Sequence, residues 1–152
     1  MIKAGTRKGS ILVIGGGVAG MQAALDAAQA GFKVYLAERE SALGGQMSAL
    51  DKTFPTNDCA MCMLSPRLVE IGNNPNIEIL TLAEVTKLEG EPGDFTVTLK
   101  LEPRFVDVAK CTACGDCLDV CPVEIDDPFN QNPATRNAIG RRYPQALPSP
   151  FA

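Results

Sequence analysis

Ser10-Ile11-Leu12-Val13-Ile14, followed by Gly15-Gly16-Gly17-Val18-Ala19-Gly20, is the stretch on which the reading of the fold turns. Its apolar, partly β-branched start reads as a buried parallel strand, and the glycines read as the tight turn that ends it. Residues 18–30 are rich in alanine and carry apolar side chains at helical spacing, with Gly31 placed as a C-terminal stop. Lys33-Val34-Tyr35-Leu36-Ala37 then reads as a second buried strand with Glu38 at its end. Strand, glycine loop, helix, strand and acid is the order of a dinucleotide-binding unit, and each part has a task. Gly15 permits the turn, Gly17 lets backbone amides approach a pyrophosphate, and Gly20 lets the helix pack closely on the strand. The helix N-terminus presents its partial positive charge to the phosphates. Glu38, about 20 residues beyond the loop, is placed to accept hydrogen bonds from a ribose diol and disfavours a 2′-phosphate, which argues against NADP. The candidate cofactor-binding residues are therefore Gly15, Gly16, Gly17, Val18, Ala19, Gly20, Glu38 and its neighbour Arg39.

Working outward, residues 40–66 are irregular and contain Gly44-Gly45, Phe54-Pro55-Thr56-Asn57-Asp58 and Cys59-Ala60-Met61-Cys62. A stretch of that length is expected to be a cofactor-facing loop with some local helix. Pro66 is acceptable in a first helical turn, so a short helix is expected over residues 66–72. Residues 76–82 return to a strand pattern and are the candidate third parallel strand. Residues 84–88 and 95–101 read as a hairpin across Gly90-Glu91-Pro92-Gly93-Asp94. Phe95, Val97, Leu99 and Leu101 alternate with polar neighbours, so one face is expected to be buried. Residues 144–152 carry no periodic pattern. The fold class is α/β, a partial Rossmann-like FAD/NAD(P)-binding fold over residues 1–102, with a small ferredoxin-like iron–sulfur module and irregular tail over residues 103–152.

Cys111, Cys114, Cys117 and Cys121, followed by Pro122, have the spacing of a bacterial iron–sulfur ligand run. Thiolates three, three and four positions apart wrap corners of a cubane from one tight loop, while Pro122 directs the chain away. Zinc sites pair two separated knuckles, and this compact run fits them less well. Cys121 either closes its own [4Fe–4S] cluster or serves a second one completed by another polypeptide. Cys59 and Cys62 are open to three readings: an edge of a metal site, a redox disulfide, or inert thiols. A thioredoxin-type pair needs a helix N-terminus after a strand, and the sequence context reads instead as a proline-containing loop. Partial ligation of a further cluster, completed from elsewhere, is the favoured reading.

Composition narrows the rest. With 152 residues, 45% hydrophobic content and a net charge of −4, the chain suits a globular domain with one ordinary core. The basic residues are scattered, without the stripe that a nucleic-acid groove requires. The apolar stretches are broken by glycines, Gln22 and Asp26, so no membrane span is expected. The basic start, Met1 to Lys8, lacks the cleavage site of an export signal, and a cytoplasmic location is expected. Six cysteines in such a chain point to metal or redox work rather than structural disulfides. There is no histidine, which excludes imidazole ligands and histidine acid–base catalysis from this chain. A dinucleotide site and a one-electron cluster on one polypeptide imply electron transfer, with the chemistry belonging to the cofactors.

Gly44-Gly45 soon after the acid resembles the disulfide-reductase-like flavoproteins, in which the first glycine loop holds the ADP half of FAD. FAD is accordingly expected over NAD. Joined to LDKTFPTNDCAMCMLSPRLVE (50–70), residues 76–82 and KCTACGDCLDVCPVE (110–124), the sequence closely resembles the FAD-carrying iron–sulfur subunit of heterodisulfide reductase. The resemblance covers about residues 11–148. It implies an electron-transfer iron–sulfur flavoprotein of anaerobes, methanogens above all, that passes electrons between FAD and [4Fe–4S] clusters. It further implies flavin-based bifurcation toward ferredoxin and the CoM-S-S-CoB heterodisulfide. Other subunits of the complex and a hydrogenase or formate dehydrogenase donor are the implied partners. Residue by residue it assigns Gly15, Gly17, Gly20 and Glu38 to FAD, with Gly44 and Gly45 in the same cofactor region. It assigns Cys111, Cys114, Cys117 and Cys121 to the ferredoxin module, and Cys59 and Cys62 to a further cluster. Family members are several times longer, which marks this chain as a split subunit or a fragment. The alternatives are a ferredoxin-like carrier without its own flavin, or an assembly subunit.

Overall fold

In a computed structural model the described residues are 9–152, so the basic start lies outside them. The first half runs β1 (Ser10–Ile14), α1 (Val18–Gln29), β2 (Lys33–Glu38), a 3-10 turn (Gly45–Ala49), β3 (Lys52–Thr53), β4 (Asp58–Cys59), α2 (Ala60–Asn73) and β5 (Ile77–Thr81). The second half runs β6 (Ala83–Glu91), β7 (Asp94–Leu101), α3 (Asp116–Asp119), β8 (Glu124–Asp126), a 3-10 turn (Pro128–Asn130) and β9 (Thr135–Asn137). Strands β1, β2 and β5 form a parallel sheet with β2 in the centre. Leu12 pairs with Tyr35 and Leu36 with Ile79. The third strand expected from residues 76–82 is β5. No helix among the described residues is long and apolar enough to cross a membrane.

The core lies where two helices cover one face of this sheet. Helix α1 contributes Met21, Ala24, Leu25 and Ala28, the i, i+3, i+4, i+7 stripe of an amphipathic helix. Helix α2 contributes Leu64, Leu68 and Ile71, and the sheet contributes Val34, Leu36 and Ile77. Helix α2 is a correction to the sequence reading. It begins at Ala60 rather than at Pro66, and Pro66 sits in its interior. An interior proline removes a hydrogen bond and crowds the preceding turn. Burial of Ala60, Leu64, Leu68 and Ile71 along one face, together with the Cys59 N-cap, outweighs that local cost.

The hairpin forms as expected, but its burial does not. Strands β6 and β7 are antiparallel, Glu91 pairs with Asp94, and the register shifts between Val85 and Lys87. Only Ala83 is buried, while Leu88, Phe95 and Leu101 are exposed. Alternation in β7 is real, yet a two-stranded ribbon has no layer to cover it unless another element supplies one.

The tail has no regular structure, and it is nevertheless core. Tyr143 and Ala146 are buried with the sheet and helices, and Leu147 packs against them. Tyr143 Oη donates to the Leu43 carbonyl at 2.6 Å, and the Leu43 amide donates to the Leu147 carbonyl at 2.8 Å. The chain end therefore straps the loop after β2. By contrast, no residue from 103 to 142 is buried. Desolvation pushes the Tyr143 phenol up to about 12, against smaller opposing effects of the Leu147 backbone and Arg142. A phenol with a raised folded pKa lends stability that is intact below its unfolded pKa of about 10 and is lost as pH rises toward 12. Denaturant melts between pH 9 and 12 are expected to show this fall, and Tyr143→Phe is expected to flatten it.

Candidate functional site

The glycine loop and the loop after β2 build one cleft at the C-terminal edge of the sheet, the edge at which open α/β sheets bind ligands. The loop starts where Gly15, at φ +99°, donates its amide to the Ala37 carbonyl at 2.7 Å. A side chain on Gly20 would run into the Gly15 carbonyl oxygen, so helix and loop meet backbone to backbone. A Cβ on Gly17 would meet nothing within 4 Å and would project into open space. Gly17 is also the N-cap of α1, so that space lies at a helix N-terminus. The Gly44 amide donates to the Gly16 carbonyl at 2.8 Å, and a Cβ on Gly45 would stand 3.0 Å from the Gly17 Cα. Gly44-Gly45 is thus the second wall of the first loop.

Glu38 sits between these walls, only 7% exposed. Its Oε2 accepts the Gly16 amide at 2.6 Å and its Oε1 accepts the Glu40 amide at 2.9 Å. Both oxygens keep a free lone pair, since a carboxylate accepts about four hydrogen bonds. The carboxylate therefore fixes the loop and still has capacity for a diol. The cleft holds about 410 Å³ and is lined by Gly15, Glu38, Arg39, Gly45, Gln46 and Arg142 among others. Sequence reasoning misses Arg142. It reaches the cleft from the tail and forms an ion pair with Glu40, and a pair of arginines in an aperiodic segment carries no signal of that contact. The open space at Gly17, the buried acid and the cleft volume fit the ADP half of a flavin dinucleotide.

The cysteine run lies in a loop whose backbone turns left-handed at Ala113 and Gly115. The Cys111 amide donates to the Asp107 carbonyl at 2.9 Å, and α3 carries Cys117. Cys114 is exposed and the other three thiols are half-buried. Backbone hydrogen bonds, that of Ile139 foremost and those of Val123 and Ala138 after it, hold the Cys121 thiol below its usual pKa. That favours the thiolate, the ligating form. Among the described residues no three Cys, Asp or Glu side chains converge closely enough for a single ion. The donor set itself, four thiols three, three and four positions apart on one loop, is the chemistry of a [4Fe–4S] cluster rather than of the two separated knuckles of a zinc site.

Cys59 and Cys62 form a disulfide with Cα atoms 5.2 Å apart. Cys59 caps α2, its Sγ accepting the Cys62 amide at 3.1 Å. This corrects the expected context, because the pair stands at a helix N-terminus after the short strand β4 and not in a loop. The structure does not bring it together with the Cys111 run.

Comparison with known proteins now joins the two sites. The family model for FAD dependent oxidoreductases matches residues 10–60, and that for 4Fe-4S binding domains matches residues 104–125. A CoB–CoM heterodisulfide reductase iron-sulfur subunit of Methanopyrus kandleri is 54% identical over 139 residues, which are 91% of this chain and 21% of that protein. The chain resembles an internal segment of the heterodisulfide reductase iron–sulfur subunit. The corresponding subunit of the H(2)/formate:CoB-CoM heterodisulfide,ferredoxin reductase of Methanococcus maripaludis is 49% identical, again over 91% of this chain and 21% of that protein. The chain thus spans about a fifth of the length of these heterodisulfide reductase subunits. Among solved structures, L-proline dehydrogenase from P. horikoshii superposes with a TM-score of 0.51 at 26% identity, covering 60% of this chain and 19% of that one. The cofactor classes of the two modules are FAD and [4Fe–4S].

Proposed function

We propose that this chain is the electron-transfer segment of a heterodisulfide-reductase-like complex, moving electrons between FAD in the Gly15–Glu38–Gly45 cleft and a [4Fe–4S] cluster on Cys111, Cys114, Cys117 and Cys121. The observation that carries the reading is the strap. Residues 140–152 follow the cysteine module, pack Tyr143 into the core beneath Leu43, and place Arg142 in the nucleotide cleft. Residues that follow the cysteine module thus reach the nucleotide cleft, which supports an exchange between the two candidate sites. FAD, when bound, exchanges electrons in pairs or singly, and the cluster carries one at a time. The chain's own residues bind and orient: the helix N-terminus at Gly17 faces the phosphates, Glu38 faces the ribose, and four thiolates hold iron.

Partners are proposed from the relatives' names, which specify hydrogen or formate, the CoB–CoM heterodisulfide and ferredoxin. A hydrogenase or formate dehydrogenase donor, ferredoxin and the remaining subunits of a heterodisulfide reductase are the corresponding expectation. Cys59 and Cys62 are proposed to ligate a further cluster once a two-electron reductant such as a dithiol has cleaved their disulfide to two thiolates and ligands from elsewhere complete the site. The test is anaerobic co-purification with neighbouring subunits, followed by iron, sulfide and flavin determination on this chain. Stoichiometric flavin with a full complement of cubane iron is expected. Colourless, iron-free material refutes the reading, and iron and sulfide without flavin refutes its flavin half.

A further inference from the structure

Among the described residues, a guanidinium without a counter-charge stands where the nucleotide fold meets the cysteine loop. Arg104 Nη2 donates to the Ser41 carbonyl at 2.6 Å and to Thr81 Oγ1 at 2.7 Å, while Nη1 donates to the Pro150 carbonyl at 2.9 Å and more loosely to that of Phe151 at 3.5 Å. Thr81 is the last residue of β5 and lies opposite Glu38 in the register. Ser41 follows β2, so both partners stand at the sheet edge on which the nucleotide cleft opens. Among the described residues, no carboxylate lies within 4.0 Å of the guanidinium, whose partners are all neutral. Three residues further on, Asp107 accepts the Cys111 amide and begins the cysteine loop.

The charge strengthens the bonds that tie the segments together, but holding it partly buried without an ion-pair partner is costly. Four thiolates around an iron–sulfur cubane supply the opposite sign, and each reduction adds one more negative charge. Resting on the cluster reading above, the geometry points to Arg104 as a positioning residue that sets the cluster's reduction potential. It pegs the cysteine loop to the sheet edge and favours the reduced state by Coulomb attraction across a partly buried interval. Burial pushes the Arg104 guanidinium down from its usual value, against a smaller opposing effect of Cys111.

The test is an anaerobic redox titration of the full chain in its complex, read by the paramagnetic signal of the reduced cluster and independent of turnover. Arg104→Gln is expected to retain iron and to lower the reduced-to-oxidised ratio at a fixed potential roughly tenfold, a shift of ~59 mV for a one-electron couple. Arg104→Lys keeps the charge while losing the two-pronged fork, and is expected to stay within about threefold of the parent. Thr81→Asp pairs the guanidinium in place and is expected to shift the ratio in the same direction as Arg104→Gln, which covers the case in which the glutamine variant fails to fold. An iron-replete Arg104→Gln or Thr81→Asp with an unchanged potential overturns the inference and leaves the cluster reading intact. So does Arg104→Lys shifting as far as the glutamine variant, because packing rather than charge would then be at work. A parent chain without iron refutes instead the reading on which the inference rests.

Discussion

Gly20→Ala is expected to destabilise the fold by about 3 kcal/mol, the upper end of the usual cost of overpacking. Its Cβ would be driven into the Gly15 carbonyl, a backbone atom that cannot rotate away as a side-chain end can. For a domain of this size the corresponding loss in Tm is roughly 6–12 °C. Gly17→Ala is the matched control. Its Cβ meets nothing within 4 Å, and the residue sits at φ −74°, a conformation open to alanine. Its Tm is expected to stay within about 2 °C of the parent, while flavin retention falls roughly tenfold, or about 1.4 kcal/mol, because the methyl occupies the pyrophosphate's approach. Thermal melts and flavin content on the same samples check both. A Gly17→Ala chain that keeps its flavin removes the cleft from consideration, whatever Gly20→Ala does.

Cys114→Ser is expected to abolish the cluster of the ferredoxin module and, with it, the order of the cysteine loop over residues 107–121. None of those residues is buried, so there is no apolar core to hold them when the metal is gone. Where a small module lacks a core, metal binding supplies folding free energy. Iron determination is expected to show loss of that cluster, and hydrogen exchange is expected to show lost protection around Cys111–Cys121. Protection in α1 and β2 is expected to persist, since Met21, Leu25, Val34 and Leu36 pack independently of the cysteines. Loss of protection in α1 as well would mean that the cluster supports the whole chain. Unchanged iron in Cys114→Ser would strike that thiol from the ligand set.

Much of the α/β core was legible because its signals are local. The run 10–14, the alanine-rich helix, Gly31 and the strand before Glu38 follow one another with no long-range information needed, and β5 needed only its own strand pattern. Helix α2 was misread through a local signal that tertiary packing overrode. Pro66 marks a helix start on its own terms, but Leu64, Leu68 and Ile71 face the same core as Met21 and carry the helix back to Ala60. The hairpin was misjudged for the opposite reason. Its alternation predicts a covered face, and coverage depends on a neighbour that pattern cannot supply.

Sequence by itself determined the strand–loop–helix–strand unit, the acid at Glu38 and the fourfold cysteine spacing, since each depends on residues a turn or a strand apart. Only the tertiary structure decided that Gly44-Gly45 walls the first glycine loop, that Tyr143 locks the tail beneath Leu43, and that Arg104 and Arg142 meet the sheet edge. Those contacts join residues that are 23 to 102 positions apart and lie partly in segments without periodicity. Hydrophobic period and turn chemistry fix local conformation, whereas which distant carbonyl a buried tyrosine or arginine finds is fixed only when the core closes.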